Sequence, residues 1–577
     1  MYFVYTDHNS KTINAVFITP KSLKISSQND MPINFKKKLP WLLVLILALA
    51  VHFSGINIPF FTDDPGLYGS LAKNMVQQGN YWELFSYGKD WLDKPHFPFW
   101  MAALSFKLFG VSTWSYKLPA LLFFLLSGLY TYLFTKKNYD QKTALMAVLI
   151  LLSAQHIFMS NTDVRAEPYL IGLIIGSVYH FYLLEKRFSW TDLILGALFA
   201  ACAVMTKGVF ALIPIGASVI GELIFKKRYA EMLRLKWLLA VLLTAIFILP
   251  EIYSLYVQFD SQPQKITLQN AHQSGIMWFL WDSQFGRFIN SGPITRKSGS
   301  LFFYIHTLIW AFAPWFFMLI YAVFINLKKI VQKQQLNEYF SLCAALSMWL
   351  IFSLSRFQLS FYTNIIFPFF AIIIASVLRN VLSKAVFTYF KIAQLVQAGL
   401  LFLAILAFNY FLHPANQILF WGEVTGFVIL VLYLSKKTSG FAFLFLLSCT
   451  VTIFVNFYLN SIFYPLLATY KADAQAPHYI NQHFPGKPVY VVDSLSNPFQ
   501  FYCKVPVQLL SKVDLNDTES AKKIIYTNEA RLKELQQNHP VKILKAITNY
   551  PQERILKDFI WYKTREKILN KYYLISY

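Results

Sequence analysis

The first apolar stretch of the chain, residues 36–53, reads KKKLPWLLVLILALAVHF. Three lysines precede a run that contains no other charged residue. A transmembrane helix needs about 20 predominantly apolar residues, and lysines beside a span mark its cytoplasmic end. Because the residues before it are polar, we expect a retained membrane span behind a cytoplasmic N-terminal segment, and no cleavable signal peptide at the start.

The composition of the whole chain extends this interpretation. Of 577 residues, 56% are hydrophobic and 14% are charged, whereas soluble domains carry about 25% charged residues. Most of the chain therefore cannot face water. Lys and Arg number 52 against 29 Asp and Glu, and such an excess of basic residues can indicate nucleic-acid binding. Lysines among aromatic residues also mark a membrane interface, however, and we predict no nucleic-acid partner. The four cysteines lie far apart and show no metal-binding spacing.

Apolar stretches of membrane-spanning length recur along the chain, and they predict an all-α polytopic bundle of about thirteen transmembrane helices. If the N-terminus is cytoplasmic, every second loop carries a cluster of Lys and Arg, as the positive-inside rule requires. The predicted spans are 39–57, 117–135, 143–159, 166–184, 190–205, 208–225, 236–254, 301–326, 338–354, 359–378, 392–412, 417–435 and 440–464.

This orientation divides the chain into three domains. We predict a cytoplasmic segment over 1–38, a transmembrane domain over 39–466 and a soluble domain over 467–577 on the non-cytoplasmic side. The transmembrane domain carries two long outer loops, 58–116 and 255–300. In the soluble domain, β-type runs at 489–492 and 524–527 alternate with a helical stretch at 529–537, which indicates a small α/β domain of about 100 residues.

The first outer loop contains the sequence FTDDPGLY over residues 61–68. Apolar residues then recur at helical spacing up to Gly79, which predicts an amphipathic helix on the membrane surface; the apolar stretch 97–109 predicts a second. Two interpretations of Asp63 and Asp64 remain open. Either carboxylate can cap this helix, with Pro65 in its first turn, or it can act as a general base at the membrane–water boundary.

Further charged residues are predicted on the same outer side. Each has a simpler explanation: the run from Lys89 to Lys94 as a solvated turn, and Lys207 as a side chain that reaches the interface. Together, however, they combine carboxylates with four cations, which suits a site that holds a lipid phosphate and removes a proton from an acceptor. The members of this set are Asp63, Asp64, Asp163, Lys94, Lys207, Arg287 and Arg356.

The order of motifs in the first loop resembles a known family. DDPGLY at 63–68, GKDWLDKPHFPFW at 88–100 and ALSFKLFG at 103–110 are similar to the protein O-mannosyltransferase superfamily of membrane glycosyltransferases. Within it, the sequence looks nearest to the bacterial 4-amino-4-deoxy-L-arabinose lipid A transferases. The resemblance covers about residues 55–370.

This resemblance implies the GT-C fold, with thirteen spans and surface helices in the first outer loop. It implies a sugar donor linked to polyprenyl phosphate, a catalytic aspartate at Asp64, with Asp63 beside it, and a phosphate-binding lysine at Lys94. It also implies a divalent metal with Asp93 as its acidic contact, although the family's histidine contact is replaced at 297–298; no other cofactor is indicated. The lysine of a later family turn is replaced by Gln358, and Arg356 stands nearby.

We therefore predict an inverting membrane glycosyltransferase in a bacterial inner membrane, with its site facing the periplasm. Asp64 or Asp63 would be the base, assisted by Asp163, and the four cations would hold the donor phosphate. The acceptor remains open among lipid A, another envelope glycan and a protein, in a setting of membrane lipids. The alternative from another class is a transporter or lipid flippase, which would place its charges near the bilayer midplane and often shows sequence repeats.

Overall fold

The computed structural model describes residues 38–262, 264–267, 270–271, 273–291, 295, 299–379, 384–492, 496–510, 523–538, 540–552 and 554–576. The predicted cytoplasmic segment therefore lies outside the described residues, apart from its last residue. Up to residue 260 the helices are α1 (Lys38–Ser54), α2 (Asp63–Gln78), α3 (Phe97–Phe109), α4 (Thr113–Asn138), α5 (Gln141–Leu152), α6 (Gln155–Thr162), α7 (Glu167–Lys186), α8 (Trp190–Lys207), α9 (Leu212–Phe225), α10 (Tyr229–Met232) and α11 (Leu235–Leu255).

The rest of the membrane part is also helical. Its helices are α12 (Gly275–Met277), α13 (Ser283–Ile289), α14 (Phe303–Ala311), α15 (Phe316–Val331), α16 (Phe340–Leu354), α17 (Phe367–Leu378), α18 (Lys384–Leu412), α19 (Gln417–Lys437), α20 (Gly440–Tyr458) and α21 (Tyr464–Ala468). Two short hairpins stand in the long loops: β1 (Phe85–Ser86) with β2 (Lys89–Asp90), and β3 (Ile266–Thr267) with β4 (Asn270–Ala271).

The span count stays a prediction, although helices occupy all thirteen predicted positions. Among the described residues, eight helices are long and apolar enough to cross a membrane, or nine if the bent pair α5 and α6 is one span. Apolar helices at 39–54, 209–225 and 340–354 are shorter. The predicted span 301–326 is divided into α14 and α15 around Pro314, as expected where proline removes a backbone donor.

The predicted C-terminal α/β domain is present. Its five-stranded sheet has the order β6-β5-β7-β9-β8. Strands β6, β5 and β7 run parallel to one another, and β9 pairs antiparallel with β7 on one side and with β8 on the other. Val489, Val491 and Tyr526 lie in its buried core. The elements are α22 (Ala472–His483), β5 (Val489–Val492), α23 (Asn497–Tyr502), β6 (Val507–Leu510), β7 (Ile524–Asn528), α24 (Glu529–Asn538), β8 (Lys542–Asn549), α25 (Lys557–Ile560), α26 (Tyr562–Arg565) and β9 (Asn570–Ser576). The fold class predicted from the sequence is thus confirmed.

Both helices predicted in the first long loop are present as α2 and α3. The α2 helix ends at Gln78 and is followed by Gly79, whose φ of +68° lies in the left-handed region that glycine adopts without strain. Tyr68, Leu71 and Ala72 of α2 are buried. The helix packs against α3 on one side and against α23 of the C-terminal domain on the other, so protein covers much more of it than the prediction of a surface helix implied.

Candidate active site

Asp64 and Asp163 are joined by an arginine. Arg165 Nη1 donates to Asp64 Oδ2 at 2.7 Å, and its Nη2 donates to Asp163 Oδ2 at 3.2 Å. The Thr62 hydroxyl also donates to both oxygens of Asp163, at 2.8 and 2.9 Å. The side chain of Asp64 remains 45% exposed, whereas that of Asp163 is 15% exposed. Asp64 is therefore oriented by Arg165 and still open to a substrate.

Asp63 makes its contacts in the C-terminal domain. Its carboxylate accepts a hydrogen bond from the Asn497 side-chain amide at 2.7 Å and another from the Asn497 backbone N–H at 3.4 Å. Asp63 and Asp64 are the first two residues of α2, and the cap position belongs to Thr62. The capping interpretation of the two aspartates is therefore wrong, although their charge at the helix N-terminus is favourable.

A second group of charges surrounds Asp93. Lys94 donates to one oxygen of this carboxylate, and Arg287, from α13, donates to the other. Burial alone would raise the pKa of Asp93, but the two cations hold it below its ordinary value. Burial lowers the pKa of Lys94, and Asp93 partly offsets this shift. The predicted donor-phosphate residues Lys94 and Arg287 thus lie together, although 193 positions separate them in the sequence.

Lys207 forms a third group. At the end of α8 it forms an ion pair with Glu167, the first residue of α7, and both side chains are buried. Its Nζ lies 4.2 Å from the centre of the Tyr362 ring and 5.3 Å from that of Phe361. Arg165 stacks on the same Phe361 ring at 4.8 Å. These aromatic faces hold the two cations side by side.

The hydroxyl of Tyr68 in α2 is influenced by a carboxylate from each of the three groups. Burial raises the pKa of its hydroxyl well above the ordinary value, and the negative charges of Asp64, Asp93 and Glu167 raise it further. Arg165 and Lys207 also contact the same Phe361 ring, so the groups of Asp64 and Glu167 are adjacent.

The charges are distributed unevenly between the groups. Lys94 and Arg287 share one carboxylate, so their group carries one net positive charge. Arg165 is shared by two carboxylates, so the group that contains Asp64 carries one net negative charge when both are ionised. Lys207 and Glu167 cancel. The site therefore has a positive end suited to an anion and a negative end suited to a proton donor.

Arg356 differs from the other three predicted cations, which are all held in ion pairs. Its side chain is exposed and forms no ion pair with any residue that the structure describes. Its backbone N–H donates to the Phe288 carbonyl, immediately after Arg287. The neighbouring Gln358 is buried, and its amide binds the carbonyls of Phe352 and Ser353. Gln358 thus holds the turn that presents Arg356.

The described residues do not fit a divalent metal at Asp93. Both of its oxygens are taken by cations, and no group of three or more His, Cys, Asp or Glu side chains converges within the parts of the chain that are described. His96, the histidine three positions after Asp93, is paired with Glu251 at 3.0 Å. Residues 297–298, which replace the family's histidine contact, lie outside the described residues.

Sequence reasoning missed Arg165 and Glu167 as functional residues. Both stand in the stretch DVRAEP at 163–168, directly after the predicted Asp163. The available signal was the concentration of three charges in five residues at the end of a span, where polar groups mark functional sites. This signal does not show which residues contact each other, because Arg165 and its partner Asp64 are 101 positions apart in the sequence.

A family model and two similar proteins match this chain. Residues 93–253 match the family described as dolichyl-phosphate-mannose-protein mannosyltransferase. An undecaprenyl phosphate-alpha-4-amino-4-deoxy-L-arabinose arabinosyl transferase 2 from Proteus mirabilis is 27% identical over 327 residues, which cover 56% of each chain. An uncharacterized protein from Aquifex aeolicus is 25% identical over 72% of this chain and 79% of its own length. The match thus spans little more than half the length of the arabinosyl transferase.

Solved structures agree over a longer range. The crystal structure of ArnT from Cupriavidus metallidurans bound to undecaprenyl phosphate has a TM-score of 0.71 at 16% identity, and the match covers 92% of this chain and 97% of that one. At this identity the likeness establishes the fold. The resemblance predicted from the sequence is therefore confirmed: the chain has the GT-C fold of the protein O-mannosyltransferase superfamily and is similar to its 4-amino-4-deoxy-L-arabinose lipid A transferases.

Proposed function

We propose that this protein is a membrane glycosyltransferase that moves a sugar from a polyprenyl-phosphate donor to a cell-envelope acceptor. The observation that carries the proposal is the separation of charge between a positive group around Asp93 and a negative group around Asp64. Sugar transfer from a lipid phosphate needs this arrangement, because an anion leaves at one end while a proton is removed at the other.

The reaction follows from these two ends. The acceptor oxygen attacks the anomeric carbon of the sugar and forms the new glycosidic bond. The bond from that carbon to the phosphate oxygen breaks, and its electron pair stays on the polyprenyl phosphate that leaves. Asp64 takes the acceptor proton, since it is the most exposed of the four paired carboxylates of the site. A single displacement of this kind inverts the anomeric configuration.

The other side chains then have distinct roles. Lys94 and Arg287 bind the donor phosphate, and their shared carboxylate holds both in place before the donor arrives. Lys207, although Glu167 balances its charge, offers an ammonium donor beside the site, and the exposed Arg356 adds positive charge. Asp163 acts through Arg165, which it holds against Asp64.

Localisation and domain organisation belong to the same proposal. The protein has many membrane-spanning helices, and we propose a bacterial inner membrane with segment 1–38 in the cytoplasm and 467–577 in the periplasm. The name of the Proteus mirabilis relative and the lipid bound in the Cupriavidus metallidurans structure support a polyprenyl-phosphate donor. Lipid A, another envelope glycan and a protein remain candidate acceptors, and the transferred sugar is a pentose or a hexose.

The decisive experiment measures transfer by the purified protein in detergent. Radiolabelled polyprenyl-phosphate sugars serve as donors and a total envelope extract serves as acceptor. Asp64→Asn should abolish transfer, whereas Asp558→Asn, a matched change in the C-terminal domain, should leave it intact. Transfer that survives Asp64→Asn would refute the assignment of the base. If no donor is consumed but lipid or solute crosses reconstituted vesicles, the protein is a flippase or transporter.

A further inference from the structure

The C-terminal domain packs directly on the helix that carries Asp64. The short helix α23 lies against α2, and two glycines of α2 allow the close approach. A Cβ at Gly66 would lie 2.5 Å from the Pro498 backbone nitrogen, and one at Gly69 would lie 2.8 Å from the Phe501 ring. Both distances are below any ordinary contact, so only glycine fits at these positions unless the helices move apart.

Polar contacts fix the register of this packing. Asp63 accepts from the side-chain amide and the backbone N–H of Asn497. The Ser70 hydroxyl donates to the Asn497 carbonyl at 3.2 Å. At the entry to α2, the Phe60 backbone N–H donates to the Tyr502 hydroxyl at 2.9 Å. Both ends of α23 are therefore bonded to the segment that contains Asp64.

Lys73 provides the strongest indication that the contact is specific. Its side chain is 5% exposed, and Nζ donates to the carbonyls of Gln500, Phe501 and Cys503, at the end of α23. Burial lowers its pKa to about 8. A buried ammonium is costly unless it is well hydrogen-bonded, and here the C-terminal domain supplies all three of these acceptors.

We propose that the C-terminal domain positions the catalytic helix. In this view α23 docks on α2, and the bond from Asn497 to Asp63 fixes the first turn in which Asp64 lies. Asp63 and Asn497 are thus positioning residues that act through Asp64, and the carboxylate of Asp63 takes no proton from the acceptor. The inference rests on the proposed function, because it gives the C-terminal domain a role in that same reaction.

The test exchanges the two partners. In Asn497→Asp two carboxylates face each other, so kcat should fall by about tenfold or more, the value of a hydrogen bond to a charged group. In Asp63→Asn an amide still accepts from Asn497, so kcat should fall only by about threefold, since neutral bonds are weaker. The double variant Asp63→Asn, Asn497→Asp restores an amide–carboxylate pair with the roles reversed. It should recover most of the activity lost in Asn497→Asp.

A second readout reports docking without catalysis. Undocking exposes Lys73, so its labelling by a hydrophilic amine-reactive ester, resolved by mass spectrometry, should rise about tenfold in Asn497→Asp and return in the double variant. Asn528→Asp is the matched control: Asn528 Oδ1 accepts a hydrogen bond from the Arg531 N–H, and an aspartate oxygen accepts it equally well, so neither readout should change.

The outcomes separate the two hypotheses. Complete loss of transfer in Asp63→Asn with Lys73 still protected would make Asp63 the base and overturn the proposal. Unchanged kcat and unchanged labelling in Asn497→Asp would also overturn it. A wild-type protein that transfers no sugar under any donor would refute the proposed function instead, and labelling of Lys73 would still show whether α23 docks through Asn497.

Discussion

Replacement of Arg165 by methionine tests whether Asp64 depends on its bridge to Asp163. Methionine keeps a flexible apolar side chain against the Phe361 ring, which Arg165 now covers at 4.8 Å. It removes the donors to Asp64 at 2.7 Å and to Asp163 at 3.2 Å. The perturbation therefore releases both carboxylates while it retains most of the packing.

The expected loss can be worked from these contacts. A hydrogen bond to a charged group contributes about 1.5–3 kcal/mol, but the contact to Asp64 is half exposed and contributes about 1 kcal/mol or less. We expect a total loss of about 2–3 kcal/mol in transition-state stabilisation, because the contact to Asp163 is the more buried of the two. This corresponds to a fall of roughly 30- to 150-fold in kcat/KM.

The pH dependence of kcat/KM gives a second, independent test of the bridge formed by Arg165. Burial raises the pKa of Asp163, and Arg165 lowers it. Without Arg165 this pKa must rise further, so Asp163 becomes protonated at a higher pH. A proton taken up by this pair of carboxylates neutralises the negative end of the site, so the acid limb of kcat/KM should move to higher pH in Arg165→Met. Initial rates of labelled-sugar transfer across a pH series measure the limb directly.

Arg165→Lys is the matched variant, since it keeps the charge but cannot bridge two carboxylates with a planar fork. It should lose less activity than the methionine variant and shift the acid limb less. If Arg165→Met keeps kcat/KM within about threefold of wild type and the acid limb stays in place, Arg165 does not position Asp64 and the reasoning fails.

Two other groups of the site give further predictions. Lys94→Met should reduce kcat/KM for the donor by about 10- to 100-fold, whereas Lys94→Arg should keep most of it. Because burial lowers the pKa of Lys94, the wild-type KM for the donor should rise with alkaline pH as the ammonium deprotonates, and this rise should vanish in Lys94→Arg. Glu167→Leu should destabilise the protein by about 3–5 kcal/mol, because it leaves the buried Lys207 unpaired. Addition of Lys207→Met should recover stability in thermal unfolding but not transfer, and equal melting temperatures for the single and double variants would contradict this.

The helices were predictable because hydropathy is a local property of the sequence. The stretches at 117–135 and 417–435 lie within α4 and α19, and the runs at 489–492 and 524–527 lie within β5 and β7. Span lengths were less predictable. The stretch 338–354 was predicted as a span, but its helix covers only the 15 residues 340–354. Hydropathy alone does not show where a helix ends inside the bundle.

The composition of the site was predictable, but its pairing was not. Lys94, Lys207 and Arg287 were predicted from their position at the outer ends of spans and loops. The local sequence does not indicate that Arg287 and Lys94 share the carboxylate of Asp93, because Arg287 and Asp93 are 194 positions apart. The same holds for Gly66: its sequence pattern predicts a helix near a turn, whereas its close approach to Pro498 depends on the tertiary fold.

The buried pairs themselves argue for function rather than stability. Replacement of a buried ion pair by well-packed apolar residues is often neutral or stabilising by about 1–4 kcal/mol, so the fold alone does not require these charges. On the side predicted to face the cytoplasm, Lys186 and Arg228 are 42% and 40% exposed and keep much of their hydration, whereas Lys236 is paired with Glu231 at 8% exposure. The site cations Lys94, Arg165 and Lys207 are 15%, 19% and 6% exposed. Charges removed from water act more strongly on an incoming anion, which gives these costly groups a use when a phosphate binds and leaves.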